Sequence, residues 1–574
     1  MAMRNKSLIL LLSLVLMLGL LAACNNSNSS SEQPKETAPG NTAAENDGNA
    51  SKGDGKHSAP FSGGKYDPPI TITTVRGIDA SVKFKNNETM DDNVHYKWAK
   101  EKLGIEIKNL WTANYANDGF NTKLRLALSA NKELPDILVV GQEMGSELIE
   151  SGKFMEVDEL FEKYASETYK KAMADDPNVW LPYMKDGKKM GIPDLEYEMH
   201  NDAVLWVRQD WLDKLGLKAP TTIDEMEKVM DAFVNQDPDG NGKKDTYGLA
   251  LGIKEGLKQN MGEARFIFGA YGTIPNQWNL NEDGKLEYGS VQPEMKPALT
   301  KLSEWMKKGY LSEQAGLLGS MEAGSEFTSG KVGIISGPHY MPEFPLPDLY
   351  KNNKDAVVKP YPLPTGPDGL AGRSSSGAGG GVVLINKDFK HPDAFFEYQN
   401  YLFDNFANPE FGSQFEWGLA EGYDWAKVNG EPTTKADEIP GGNGTVSKYL
   451  LTPDGIRIPS LRMETYAKLA KDPAPASPVE RFLLKKPEGV IEAATIVLSQ
   501  KDIAKQNLFV GPPTKTQKMR GDFVDKLELE TINKIIYGEQ PVDSFDTFTE
   551  KWMSSGGKQI SEEVNEWYTS VQGK

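Results

Sequence analysis

Residues 237–245 read DPDGNGKKD and gather hard oxygen donors. Asp237, Asp239, Asn241, the Lys243 carbonyl and Asp245 fall at positions 1, 3, 5, 7 and 9 of an EF-hand-like count, with Gly242 at the turn position. Oxygens at alternate places can wrap a Ca²⁺ ion. The bidentate Glu that closes such a loop is missing, because Gly248 stands in its place. Another residue or a water must then complete the shell. The rival interpretation is a polar turn held by Asx hydrogen bonds. Catalytic chemistry finds less support. The five histidines, His57, His95, His200, His339 and His391, form no HExxH, no HxH and no close pair in sequence, which leaves a zinc hydrolase unsupported. There is no G-x-S-x-G elbow. The glycine-rich run at 377–381 precedes its strand instead of following it, so it lacks the geometry of a phosphate-cradling loop. Paired carboxylates stay open, since the chain carries 82 acidic residues.

Aromatic residues point to a ligand instead. The chain has 11 Trp and 21 Tyr. Sugars present flat C–H faces and many hydroxyls, so their sites pair aromatic platforms with fixed polar groups. Most aromatics are core all the same. A net charge of −18 argues against nucleic acid as a partner. Cys24 is the only cysteine, so the chain has no intrachain disulfide, no CxxC knuckle and no cysteine nucleophile in its folded part.

The elements that must position these groups alternate between strand and helix. Ile70 to Val75 alternates apolar residues with threonine, a first strand. Asn93 to Leu103 has helical spacing and stops at Gly104; Ile105 to Leu110 is a strand and Asn121 to Leu128 a helix. Residues 135–141 form a third strand that runs into a loop with Gln142 and Glu143. Ala203 to Arg208 is an apolar strand, followed by a helix that stops near Gly216. Thr222 caps the next helix, with Glu225 three residues later. Gln292 to Lys308 is helical, residues 327–337 form a turn and a buried strand, and the tail to Lys574 is mainly helical, most clearly at 522–536 and 544–571. With 574 residues, two or more domains are expected. The alternation gives an α/β fold whose open sheets bind ligands at the carboxyl ends of their strands.

From Gly187 to Ile192-Pro193 onward, the order GxxxxIP, an apolar strand, RQDWLDKLGL, a Thr-capped helix and DPDGNGKKDTYG resembles the extracellular solute-binding lipoproteins of carbohydrate ABC importers. The segments YGSVQPEMKPALTKLSEWMKKGYL, FTSGKVGIISG and HPDAFFEYQNYLFD carry the likeness onward. The large Gram-positive members are the nearest in pattern, and alginate-oligosaccharide binders share the acidic loop. The resemblance implies a two-lobed, periplasmic-binding-protein-like (type II) fold with a hinge. Lobe one would hold 67–196 with 380–455, and lobe two 197–379 with 456–574. It implies a structural role for calcium, away from the cleft, and a cleft near residues 140–143 and the end of the strand that precedes His339. On that basis Tyr271, Trp278, Tyr340 and Trp417 are expected as sugar platforms, and Gln142, Glu143, Glu198, His339, Arg373 and Ser374 as polar contacts. Trp206 and Arg208 alternate on one strand and are candidates to face the cleft together, although an arginine so placed is more often a lobe-stabilising ion-pair partner.

The amino end fits that resemblance. Arg4 and Lys6 precede an apolar run from Leu8 to Leu21, which is short for a spanning helix of roughly 20 residues. Leu21-Ala22-Ala23-Cys24 resembles a lipobox, so 1–23 is expected to be a signal peptide and Cys24 a lipid-modified residue. Residues 24–66 are polar and poor in apolar groups, a disordered tether. The implied protein is a monomer anchored on the outer face of the membrane. It would pass an oligosaccharide to permease subunits without breaking a bond. A secreted lyase or glycosidase and a peptide-binding surface lipoprotein are the competing classes.

Overall fold

The structure is a computed structural model and describes residues 61–62, 64–130, 132–258 and 260–572. The signal peptide, Cys24 and nearly all of the tether lie outside the described residues.

Many element ends are set by local chemistry visible in the sequence. The helix Val94–Leu103 starts where the Asn93 side chain accepts hydrogen bonds from the His95 and Tyr96 backbone N–H groups, and it stops at Gly104, whose φ of 68° favours glycine. The helix Ile223–Asn235 starts where Thr222 caps the Glu225 N–H. The expected helix at 544–571 is two helices, Ser544–Trp552 and Lys558–Val571, broken around Gly556 at φ 137°. The expected loop at Gln142 and Glu143 is the first turn of a helix, Gln142–Ile149.

Two groups of buried residues organise the molecule. The first surrounds a three-stranded sheet ordered Ile137–Val140, Gly379–Ile385, Ile192–Leu195, together with a separate parallel pair of strands, Ile70–Ile78 with Ile105–Asn114. Its core draws on residues from Tyr66 to Leu195 and from Ala378 to Ile456. The second surrounds a sheet ordered Tyr247–Ala250, Val332–Pro338, Ala203–Arg208 and Val358–Tyr361. Its core draws on residues from Val204 to Leu363 and from Met463 to Val564, with the helical tail packed onto it. The chain therefore passes between the two groups near 196–203, 364–377 and 457–462. This is the two-lobed α/β fold with a hinge.

One buried ion pair joins two of those crossings. Asp202 and Arg373 are both 0% exposed, and Arg373 Nε donates to Asp202 Oδ2 at 2.8 Å. The Ser375 hydroxyl at 2.9 Å and the Ser376 N–H at 3.0 Å donate to the same carboxylate. The remaining Arg373 N–H groups donate to the Gln500 and Val497 carbonyls at 3.0 and 3.1 Å. The third crossing is tied in by the Glu198 N–H, which donates to the Pro459 carbonyl at 3.2 Å. Removing one partner of such a pair leaves a dry charge. Asp202→Ala should lower stability by about 3–5 kcal/mol, and the double variant with Arg373→Met should recover part of it. Urea unfolding of both variants checks this; unchanged midpoints in Asp202→Ala would contradict it.

Candidate functional site between the lobes

Two cavities meet at Arg462, in the first turn of the helix Leu461–Lys471. The larger, about 420 Å³, is walled by Tyr197, Trp417, Asp424, Arg462 and Arg481 among others. The smaller, about 240 Å³, is walled by His200, His339, Tyr340, Arg462, Tyr466 and Lys486 among others. A third hollow of about 180 Å³, with Gln142, Asp176, Ser375 and Gln506 in its wall, lies between the first lobe and the segment at 506–510. These spaces adjoin the crossing segments. A further cavity of about 400 Å³, walled by Asn276, Tyr288 and Glu528 among others, lies wholly within the second lobe.

Each wall residue is held by its own local structure. Trp417 rides on a loop closed by Asp424, whose carboxylate accepts from the Leu419 and Ala420 N–H groups at 2.7 and 2.8 Å. Gly418 has φ 148°, and a Cβ there would meet the Asp424 carboxylate at 2.7 Å, so the turn requires glycine. Arg481 lies over the Trp417 ring at 3.5 Å and bonds Glu416 at 2.7 Å, joining the two walls. His339 and Tyr340 follow the strand Val332–Pro338, whose end is fixed by the Trp206 indole N–H donating to the Gly337 and Pro338 carbonyls at 3.2 Å. Tyr340 stacks on His200 at 4.8 Å, donates to Asn201 at 3.1 Å and accepts from Asn260 at 2.8 Å.

The titrating groups here are displaced mainly by burial. His200 is pushed down to about 4 by burial and then by Arg462 and Arg457. Burial, with His200 and Arg462 next, pushes His339 down to about 3. Both imidazoles are neutral at pH 7. The Glu198 carboxyl is pushed up to about 7 by burial and then by Asp175 and Asp176. The site thus offers aromatic faces, neutral imidazoles and a few oriented charges. That is the equipment for holding a polar ligand with flat apolar faces.

Residues 83–407 match the family model of bacterial extracellular solute-binding proteins, more than half of the chain. The chain belongs to that family. Among its relatives, the polygalacturonan/rhamnogalacturonan-binding protein YtcQ of Bacillus subtilis (strain 168) is 24% identical over 486 residues, covering 82% of this chain and 87% of that protein. Lipoprotein LipO of the same organism is 25% identical, covering 84% and 89%. Among solved structures, alginate-binding protein AlgQ2 without calcium ion superposes with a TM-score of 0.54 at 16% identity, covering 88% of this chain and 98% of that one. That likeness is one of fold.

In this solute-binding protein, the expected site residues divide. Trp417, His339 and Tyr340 wall the two cavities that meet at Arg462, and Gln142 walls the third, where its amide donates to the Val510 carbonyl at 2.9 Å. Glu198 and Ser374 sit on the crossings, half-buried, with Ser374 accepting from Arg265 at 2.7 Å. Glu143 is exposed in the first turn of its helix and walls none of these spaces. The others are corrected. Trp206 is 0% exposed in the core and supports the strand end from behind. Arg208 is 1% exposed, paired with Asp210 at 2.6 Å and stacked on Trp211 at 4.5 Å, which is the ion-pair alternative. Trp278 is core, packed on Tyr288 and Phe509. Tyr271 packs on the outside of the second core, beside Lys301 and Asp224. Arg373 is committed to Asp202. Sequence reasoning passed over Tyr197, His200, Asn201, Arg462 and Arg481. His200 and His339 are far apart in sequence yet 5.5 Å apart between ring centroids, so the close pair exists in space.

The acidic loop lies at the end of the helix Ile223–Asn235. Asp237 accepts from the Asn241 and Gly242 N–H groups, both at 3.1 Å, and the Asn241 amide bonds Asp239 at 2.7 Å and Asp245 at 3.0 Å. Asp239 is raised by burial, and the facing Asp237 and Asp245 add to it. Lys331 pairs with Asp245 at 3.0 Å. Among the described residues no three His, Cys, Asp or Glu side chains converge as a metal centre. The donor set therefore depends on Asn241 and the Lys243 carbonyl as well as the carboxylates. Those hard oxygens fit a Ca²⁺ ion. Thr246 is spoken for, its hydroxyl donating to the Phe233 carbonyl at 2.7 Å.

Glu198 gives a pH signature. Its folded value of about 7 lies above the ordinary 4.5, so the folded state holds its proton more tightly. Stability from this group therefore falls as pH rises from about 4.5 to about 7 and is level above that. Glu198→Gln should gain on the parent protein across that window. Thermal melts at pH 5 and pH 8 read the difference; a gap that does not widen at pH 8 would contradict it.

Proposed function

We propose that this solute-binding protein captures an oligosaccharide between its lobes and presents it, unaltered, to the membrane subunits of an ABC importer. The observation that carries this is the pair of adjoining cavities at the crossings, walled by Tyr197, Trp417 and Tyr340 with polar groups between them. The name of YtcQ as a polysaccharide-binding protein supports the ligand class. Lobe one comprises 67–196 with 380–455 and lobe two 197–379 with 456–574. They close as a hinge because the closed form alone lets both walls touch the sugar. The protein acts as a monomer on the outer face of the membrane, held by lipid on Cys24; the kinship with lipoprotein LipO supports that anchor.

Calcium belongs to the same proposal as a structural ion. Asp237, Asp239, Asn241, the Lys243 carbonyl and Asp245 would hold it, and it would lock the end of the Ile223–Asn235 helix to the strand Tyr247–Ala250.

Calorimetry against a panel of oligosaccharides, with chromatography of the recovered sugar, tests the binding function. Saturable binding with the sugar recovered whole is expected, and Trp417→Ala should weaken it at least about tenfold. A shortened sugar would mark an enzyme, and peptide binding with no sugar response would mark the peptide-binding class. For the ion, Ca²⁺ at about a hundred times its dissociation constant should add about 2.7 kcal/mol of stability. Chelation should reverse the gain and Asp239→Ala should abolish it. A melting temperature indifferent to Ca²⁺ and chelator would refute the ion.

A further inference from the structure

Arg462 stands apart from the arginines around it. Arg457 is paired with Glu196, and Arg481 with Glu416 at 2.7 Å. Lys486, across the smaller cavity, is paired with Glu343. Arg462 has no carboxylate partner among the described residues. Its guanidinium lies 3.9 Å from the centre of the Tyr197 ring, and its single hydrogen-bond contact is with His200 Nδ1 at 3.4 Å. The ring fixes the plane of the fork and the imidazole occupies one edge of it. The remaining N–H donors are half-buried at the wall that both cavities share.

A second group at this place also lacks its partner. His339 is 1% exposed, walls the smaller cavity, and its Nδ1 has no hydrogen-bond partner. Burial holds this imidazole and that of His200 neutral, and the Arg462 cation beside them adds to that. The protein as a whole carries −18 and repels anions at a distance. A preoriented guanidinium without a carboxylate partner is matched by an anionic group that accepts two parallel N–H bonds, and a carboxylate is the anion that a sugar ring can carry on its own carbon skeleton. A neighbouring sugar hydroxyl matches the His339 nitrogen.

We propose that Arg462 reads a carboxylate on the bound sugar, so that the ligand is an acidic, uronate-bearing oligosaccharide and Arg462 sets that preference. This rests on the carbohydrate-binding function proposed above. Tyr197 and His200 are positioning residues for the guanidinium.

The test is titration calorimetry of the intact protein with oligosaccharides of uronic acids and with the same oligosaccharides after carboxyl reduction, which keeps the ring and removes the charge. The parent protein should bind the acidic form at least about tenfold more tightly. Arg462→Gln should bring the two affinities together by weakening only the acidic form, and Arg462→Lys should keep part of the difference because the charge remains without the fork. Equal affinity of the parent protein for both forms, or tighter binding of the reduced form, would overturn the proposal and leave the carbohydrate function standing. A preference that survives Arg462→Gln in a variant of unchanged melting temperature would overturn the role of Arg462. Absence of binding to any saccharide would overturn the carbohydrate function, and this inference with it.

Discussion

The dry contact between Asp202 and Arg373 fixes how the two lobes can meet. Both side chains are 0% exposed, and together they draw in two crossing segments and the helical tail. An ion pair of this kind adds little net stability over apolar packing, but breaking it on one side is severe. Its value here lies in placement. His200 and Asn201 immediately precede Asp202, and Ser374 follows Arg373. The same contact that sets the hinge therefore sets the floor of the gap where Tyr340 stacks on His200. The same two crossings are also joined by a main-chain bond, the Met199 N–H donating to the Ser376 carbonyl at 3.3 Å.

Much of the fold was legible because it is written in local chemistry. Asn93, Gly104, Gly216 and Thr222 end their helices by capping and by positive φ, and each can be recognised from a few residues. The family motifs supplied the two-lobed plan. What the residues could not disclose was orientation. All six positions of the strand Ala203–Arg208 are buried, since its sheet is covered on both faces. Alternation along such a strand says nothing about which side meets the gap. Trp206 and Arg208 were candidates for the gap on that alternation; Trp206 is in the interior, and Arg208 is the ion-pair partner of Asp210. Trp278 and Tyr271 fell to the general tendency of aromatics to be core.

The residues that were missed are those brought together by the crossings. His200 meets the expected His339, 139 positions on, because the strand Val332–Pro338 pairs with Ala203–Arg208 in an antiparallel register that sets Pro338 opposite Ala203. Arg462 reaches the same spot from the third crossing. A sequence shows none of these separations closing. It does show a clue of another kind, since His200 and Asn201 are polar residues in a short link between apolar elements and Arg462 opens the helix after another link, and links between lobes are where a ligand must be touched.

A crystal structure of the protein grown with an oligosaccharide it binds measures the central claim most directly. The account predicts an intact sugar between the lobes, stacked on Trp417 or Tyr340 and within hydrogen-bond reach of Arg462. A sugar seated in the second-lobe cavity beside Glu528, or a cleaved sugar between the lobes, would contradict it.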